Sequence, residues 1–599
     1  MNKKLSLFSL LAMLAIIIIG SQSCKRNYVQ TPGRVTPYDN SKKVVASLSG
    51  IILDESGAPL EGASVSVGTN FANSDVNGYF TFTNISMPEH NTTVKVSKQT
   101  YFTGYRSVMI SANQRHTIKM SLMKKENPQS FVAANGGAVN FNGGLSITFQ
   151  ANSLVSKANG AAYSGQVYVY AKVIDPTTSM GINTMPGALR GLDEANGEEK
   201  VLKSYGMLVA EMYDQNGNEL QLVPTREATI AMDVPASLQA SASAKIPMWY
   251  FDDVKEIWME EGSANLVGGK YVGTVKHFSY WNFDLQAQAI MLEMILVDGL
   301  GNPIPNAYVS LHNAANAGAH GYSNSNGWIG GMAEANAILT LNVYLTALCG
   351  TSAPIYTQTI TTQNTNINLG TITVAYPAVS NVSGVIWDCS NNPISNGTIL
   401  INPGFILVNA NSLGQFNYSF SCTPTTPITI TAYDNASGTY GNTSSPISLA
   451  TGANNLGSFA ACGNTIRFLT VSMTNTFNNT TTNYTFSEPN TLPGCNVTSS
   501  NSNIYAEDST NLLRYLNFVA DGLTSGTFPM SSLSIGGITN ASWTDTQWLL
   551  SATSTNTVTY TSFPGFPNDV LGSYTATLIG QPSGNSYMIS GTFRAERAN

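Results

Sequence analysis

The sequence predicts an all-β protein assembled from tandem β-sandwich domains, and three observations carry that expectation. Charged residues make up only 11 % of the chain, while 43 % hydrophobic and 10 % aromatic residues suffice to bury real cores. Short runs rich in Val, Ile, Thr and Tyr alternate with Gly, Asn, Asp and Pro, the pattern of strands interrupted by turns. One strand-turn pattern returns three times along the chain, as repeated modules do. At 599 residues the chain exceeds what one core organises, so several domains are expected. The net charge of −7 leaves no basic stripe to displace counterions, which argues against a nucleic-acid partner.

The chain opens as an export signal. Met1-Asn-Lys3-Lys4 is a positive leader, residues 5–20 are continuously apolar, and Ser21-Gln-Ser23-Cys24 follows. The apolar run is short for a membrane span, which needs roughly 20 residues. Residues 1–23 are therefore read as a signal peptide. A Cys directly after small residues resembles a relaxed bacterial lipobox. That resemblance implies that Cys24 becomes the lipidated first residue of the mature chain and its link to the membrane; the alternative is an ordinary signal peptide with an incidental Cys. Lys25 follows, with no Asp to suggest inner-membrane retention, so an outer-membrane lipoprotein is expected, its periplasmic or surface side left open. Residues 24–43, with Pro32, Gly33 and Pro37 and no periodicity, read as a lipidated tether.

The repeated pattern begins in residues 44–123. A strand ending at Asp54 runs into Glu-Ser-Gly57-Ala-Pro59-Leu60, then a strand with Ala63, Val65 and Val67 on one face. Asp75-Val-Asn77-Gly78 is a tight turn feeding the next strand. It is too short, with too few ligands, to be a calcium loop. The pattern returns in residues 287–376 as Asp298-Gly-Leu-Gly301-Asn-Pro303 with Ser325-Asn326-Gly327. It returns in residues 377–463 as Asp388-Cys-Ser-Asn-Asn-Pro393 with Leu413-Gly414. These segments resemble the carboxypeptidase-regulatory-like, or transthyretin-like, β-sandwich, the first copy most closely. The resemblance implies a seven-stranded sandwich without catalytic residues, serving as a spacer or a binding surface.

Between the first two copies, residues 128–285 follow another plan. Tyr163 to Ala171 and Gly206 to Tyr213 alternate cleanly, and Asp214-Gln-Asn-Gly217 marks a hairpin. Residues 271–284 read as one closing strand carrying His277-Phe278-Ser279 and then Tyr280-Trp281. This layout resembles the autoprocessing β-sandwich of netrin receptors and ankyrins, whose cutting members break between the Phe and Ser of this triplet; an unrelated self-cleaving nucleoporin uses the same residues. In that reading Ser279 Oγ attacks the carbonyl of Phe278, giving an ester by N-to-O acyl shift that water then hydrolyses. His277 would serve as base from the same strand face, and twisting of the planar amide would be needed to promote attack. The alternative is that these residues simply close a strand. The other histidines (His90, His116, His312, His320) show no carboxylate partner at a recognisable spacing, and Glu260-Glu261 reads as a turn pair whose members face opposite ways.

The triplet coincides with a seam in composition, because no lysine occurs after Lys276 and only four arginines do. Five cysteines (Cys349, Cys389, Cys422, Cys462, Cys495) also lie beyond it, an odd number in an exported chain. A disulfide among Cys389, Cys422 and Cys462 is preferred. No CxxC or His/Cys metal spacing occurs, so structural staples are expected, with no metal and no cofactor. Residues 464–599 read as a further β-sandwich or open barrel, ending in Met588-Ile-Ser-Gly-Thr-Phe593-Arg594. That ending resembles the last strand of β-modules in lipoproteins of Bacteroidota.

The expected function is non-enzymatic: an envelope scaffold or adhesion-type binding protein for an unknown protein or glycan ligand. A self-cleaving protein whose fragments 24–278 and 279–599 stay associated is the first alternative. A carbohydrate-binding accessory lipoprotein is the second.

Overall fold

The computed structural model describes residues 38–597, apart from 194, 314–315, 346–347, 349–352, 377–378, 466–467, 478–479, 488–493, 498–500, 508–514, 537–546, 553, 563–568 and 582. Strands dominate it, and a single-turn helix, Ser179–Thr184, capped by the Thr178 hydroxyl, is one of few exceptions. The three repeats share one architecture down to individual hydrogen bonds. In the first, Lys43–Leu53 pairs antiparallel with Tyr79–Pro88 and parallel with Arg115–Ser121, and a four-stranded sheet covers this layer. The second repeat places Ile367–Thr373 parallel to the end of Tyr280–Val297. The third places Gly452–Ala460 parallel to Ser380–Trp387.

The turn residues explain why the pattern was visible. Asp54, Asp298 and Asp388 each fold back, one carboxylate oxygen accepting two amides: from Ser56 and Ala58, from Leu300 and Asn302, and from Ser390 and Asn392. Each turn closes on its Pro through a bridge: Leu53 with Pro59, Val297 with Pro303, Trp387 with Pro393. The second turn is built the same way by Asp75, Asn324 and Asn411. Gly78, Gly327 and Gly414 end it at φ of 71°, 73° and 72°. A Cβ there would sit 2.2 Å from the Ile52 carbonyl oxygen, 2.2 Å from that of Leu296 and 2.8 Å from that of Ile386, so glycine is required by contact as well as by φ.

Residues 271–284 are not one strand. Lys270–Val275 ends before the triplet and pairs with Ala228–Asp233 and Ile257–Val267. Tyr280–Val297 then starts anew, and it belongs to two domains at once. Its first half pairs with Glu199–Tyr213 and Lys245–Asp252 of the middle domain, its second half with Trp328–Glu334 and Ile367–Thr373 of the second module. The expected boundary near 285–287 thus falls inside a continuous strand, because an apolar alternation that serves two successive cores gives no turn signal. The C-terminal region forms a sheet whose pairings run from Ser586–Arg597 through Gly494–Val497 and on to Asp569–Gln581, which pairs again with Ser586–Arg597. Where a β-sandwich or an open barrel was expected, this last pairing closes the sheet on itself and leaves both flanks of Asp569–Gln581 and Ser586–Arg597 bonded.

The modules are not a loose string. The first contacts the other three described units next to it. Its Phe102 and Tyr105 pack with Trp249, Phe251, Trp258 and Tyr280 of the middle domain, and the Tyr280 hydroxyl donates to the Thr103 carbonyl at 2.8 Å. His90 Nε2 lies 2.7 Å from Glu199 Oε2, and Arg190 lies 2.5 Å from the same carboxylate. His90 therefore does have a carboxylate partner, supplied from 109 positions away, where no local spacing reveals it. Burial raises the Glu199 carboxyl, but the Arg190 guanidinium and His90 together outweigh it and the net position is below the ordinary value. The His116 ring meets Trp328 of the second module edge-on, and Asn324 Nδ2 donates to Ser111 Oγ at 2.9 Å.

Against the third module, Tyr79 and Tyr433 have ring centroids 4.2 Å apart, and Tyr433 donates to Asp75 Oδ2 at 2.7 Å. Burial pushes the Asp75 carboxyl up to about 6 despite that hydrogen bond. Tyr433→Phe removes the inter-module donor to this buried carboxyl and should cost roughly 1–3 kcal/mol in denaturant unfolding of the docked modules. Because the native carboxyl titrates above an unfolded Asp, the folded state holds the extra proton between the two values. The Asp75 contribution is thus full below the unfolded value and is lost as pH rises through about 6. Asp75→Asn should gain thermal stability relative to the parent at about pH 7.5 and lose that advantage at about pH 4.5; an equal gap at both would contradict the assignment.

Candidate functional site: the His277-Phe278-Ser279 turn

The triplet forms the connection between Lys270–Val275 and Tyr280–Val297, at one wall of a cleft of about 660 Å³ between the first module and the middle domain. Tyr105, Lys157, Glu219 and Gln221 line the cleft with it. The turn is strongly held. Phe278 is 9 % exposed, and its ring packs on Phe149 at 5.5 Å. Its amide donates to Gln221 Oε1 at 3.0 Å, while Gln221 Nε2 reaches back toward its carbonyl at 3.5 Å. The Trp281 indole donates to the His277 carbonyl at 3.1 Å.

The two residues of the expected nucleophile-base pair are brought to the same cleft but not to each other. Ser279 Oγ donates forward to the Tyr280 carbonyl at 3.1 Å, and the Ser279 carbonyl accepts from the Ala210 amide at 3.4 Å. The His277 ring is held between Tyr250 and Trp281, at centroid distances of 4.7 and 5.1 Å, and its Nε2 lies 3.7 Å from Glu261 Oε2. Burial lowers the His277 pKa, and the Glu261 carboxylate only partly offsets this. The two residues are not on one strand face, since the chain turns between them.

Gln221 and Glu261 were not legible as site residues. Gln221 lies 57 positions from Phe278, on the four-residue strand Glu219–Leu222, and carries no motif. Glu261 had one usable signal: the alternation that separates Glu260 from Glu261 leaves one of them able to face His277.

Cys24 lies outside the described residues, and among those residues no helix is long and apolar enough to cross a membrane. Cys389 and Cys462 meet in the third module: the Cys462 thiol hydrogen-bonds Cys389 and holds its pKa up, with burial adding to the effect. Cys422 is disulfide-bonded. The expected disulfide within this trio is not formed: Cys389 and Cys462 lie together as thiols, and neither is the partner of Cys422.

Residues 47–123 match the carboxypeptidase regulatory-like domain. That span coincides with the first seven-stranded module and contains none of the triplet. No curated protein matches the chain. Solved structures overlap it locally. A streptococcal ancillary pilin is 10 % identical, covering 37 % of this chain and 92 % of its own at a TM-score of 0.14. The Bacillus anthracis TIE protein is 10 % identical, covering 64 % and 69 % at 0.15. The major pilin subunit of Bacillus cereus is 12 % identical, covering 55 % and 99 % at 0.12. At these scores the overlaps bear on no particular feature of this chain.

Oxidation of the purified protein with a glutathione redox buffer should join Cys389 to Cys462, removing two titratable thiols and raising stability by roughly 4 kcal/mol for so long a loop. Cys389→Ser should abolish both changes; a thiol count that oxidation leaves unaltered in the parent would overturn the pairing.

Proposed function

We propose that this chain is a non-enzymatic envelope lipoprotein that acts as a rigid binding or adhesion-type scaffold. The observation that carries this reading is the mode of assembly. The first module is clamped to the second and third by buried side chains, and the middle domain shares an 18-residue strand with the second module. An array held this way keeps its outer surfaces in fixed relation, as a multivalent scaffold requires. The leader and Cys24 support an outer-membrane anchor, and Cys24→Ser should move the chain from the membrane fraction to the soluble fraction and remove labelling by radioactive palmitate.

The His277-Phe278-Ser279 geometry favours an intact turn in this reading. The Ser279 hydroxyl donates to the Tyr280 carbonyl and the His277 ring is held between Tyr250 and Trp281, so the hydroxyl is not poised to attack the Phe278 carbonyl. On a denaturing gel the mature chain and Ser279→Ala should both run as one full-length band. Two fragments in the parent, absent from Ser279→Ala, would replace this reading with the self-cleaving one. Saturable binding of the purified chain to defined glycans on an array would favour the carbohydrate-binding accessory role.

A further inference from the structure

Where the first module, the middle domain and the second module meet, they border a partly open cavity of about 150 Å³. Its walls are mostly apolar, with Met185, Leu189, Leu292, Met294, Val309 and Leu341 among them. Arg106, on the strand Gly104–Val108, lines it and is only 7 % exposed. Its Nη2 donates to the Ile182 carbonyl at 2.8 Å, and its Nη1 lies 3.3 Å from His320 Nε2. No protein acceptor reaches its Nε, and among the described residues no carboxylate pairs with it. The contrast with Arg190 is direct: that side chain is equally buried, and Glu199 sits 2.5 Å from it. A buried guanidinium without a counter-charge is expensive, because desolvation is not repaid by attraction.

His320 does not supply the missing charge. Burial, reinforced by the Arg106 guanidinium, holds its pKa down to about 3, so it stands neutral and accepts from Arg106. The site thus presents an Arg106 guanidinium without a counter-charge beside an apolar hollow, which Lys119 and the Glu199-paired Arg190 also line. We propose that this three-domain cavity binds a small monocarboxylate with a compact apolar body, its carboxylate accepting from the guanidinium of Arg106. A planar guanidinium matches a carboxylate in charge and geometry. A dry apolar space of this volume takes up a benzene-sized group.

Gly331 provides an independent handle. It shares a face of Trp328–Glu334 with Ile329 and Ala333, both packed in the second module's core, and a Cβ at Gly331 would meet nothing within 4 Å. A larger side chain there fills the hollow and leaves Arg106 in place.

The test is titration of the purified chain from residue 25 with benzoate and hexanoate, against benzyl alcohol and benzylamine, followed by thermal shift and calorimetry. Either carboxylate should stabilise the parent in proportion to its concentration over Kd, and benzoate should bind at least roughly tenfold more tightly than benzyl alcohol. Arg106→Gln should erase that preference for the anion, and Gly331→Leu should weaken all probes together. Failure of both carboxylates to bind the parent, equal affinity for benzoate and benzyl alcohol, or undiminished benzoate binding in both variants would overturn the proposal.

Discussion

The strand Tyr280–Val297 is the constraint on which the arrangement of this protein rests. Its backbone pairs in two different sheets, with Glu199–Tyr213 and Lys245–Asp252 over its first half and with Trp328–Glu334 and Ile367–Thr373 over its second. The middle domain and the second module therefore cannot rotate independently without breaking a continuous ladder. The position of the His277-Phe278-Ser279 turn follows, since it is the lead-in to that strand. So does the Arg106 cavity, whose walls include Leu292 and Met294 from the strand's second half.

Around this spine the first module acts as the hub, and its contacts show how polar groups are handled at domain seams. Each docking surface combines an aromatic contact with a buried hydrogen-bonding group. Tyr79 and Tyr433 pack at a tilt beside Asp75, Tyr105 packs on Phe251, and His90 joins Arg190 and Glu199 near the same seam. The apolar part supplies most of the attraction, while the polar part fixes the register, because a slip would strand a buried carboxylate or guanidinium. Arg106 departs from this scheme, and the departure is what makes its cavity informative.

The candidate turn illustrates how motif and geometry diverge. His-Phe-Ser is three adjacent letters, but the chemistry attached to it depends on where a hydroxyl and an imidazole point. Here Ser279 is turned toward Tyr280, and His277 is wedged between Tyr250 and Trp281 near Glu261. The residues that hold the turn, Gln221 and Phe149, come from distant strands and have no signature in sequence.

What the sequence determined by itself was local: the all-β class, the three repeated modules, and the turns at Asp54, Asp75, Asp298 and Asp388. Asx side chains and obligatory glycines dictate backbone shape within a few residues, so their spacing can be read directly. The tertiary structure alone decided the shared strand, the closure of the C-terminal sheet, the meeting of Cys389 with Cys462 and the carboxylate beside His90. Each of these joins residues whose separation along the chain bears no relation to their separation in space. The contacts that unite the modules are made by faces that look, in sequence, like any other alternating strand.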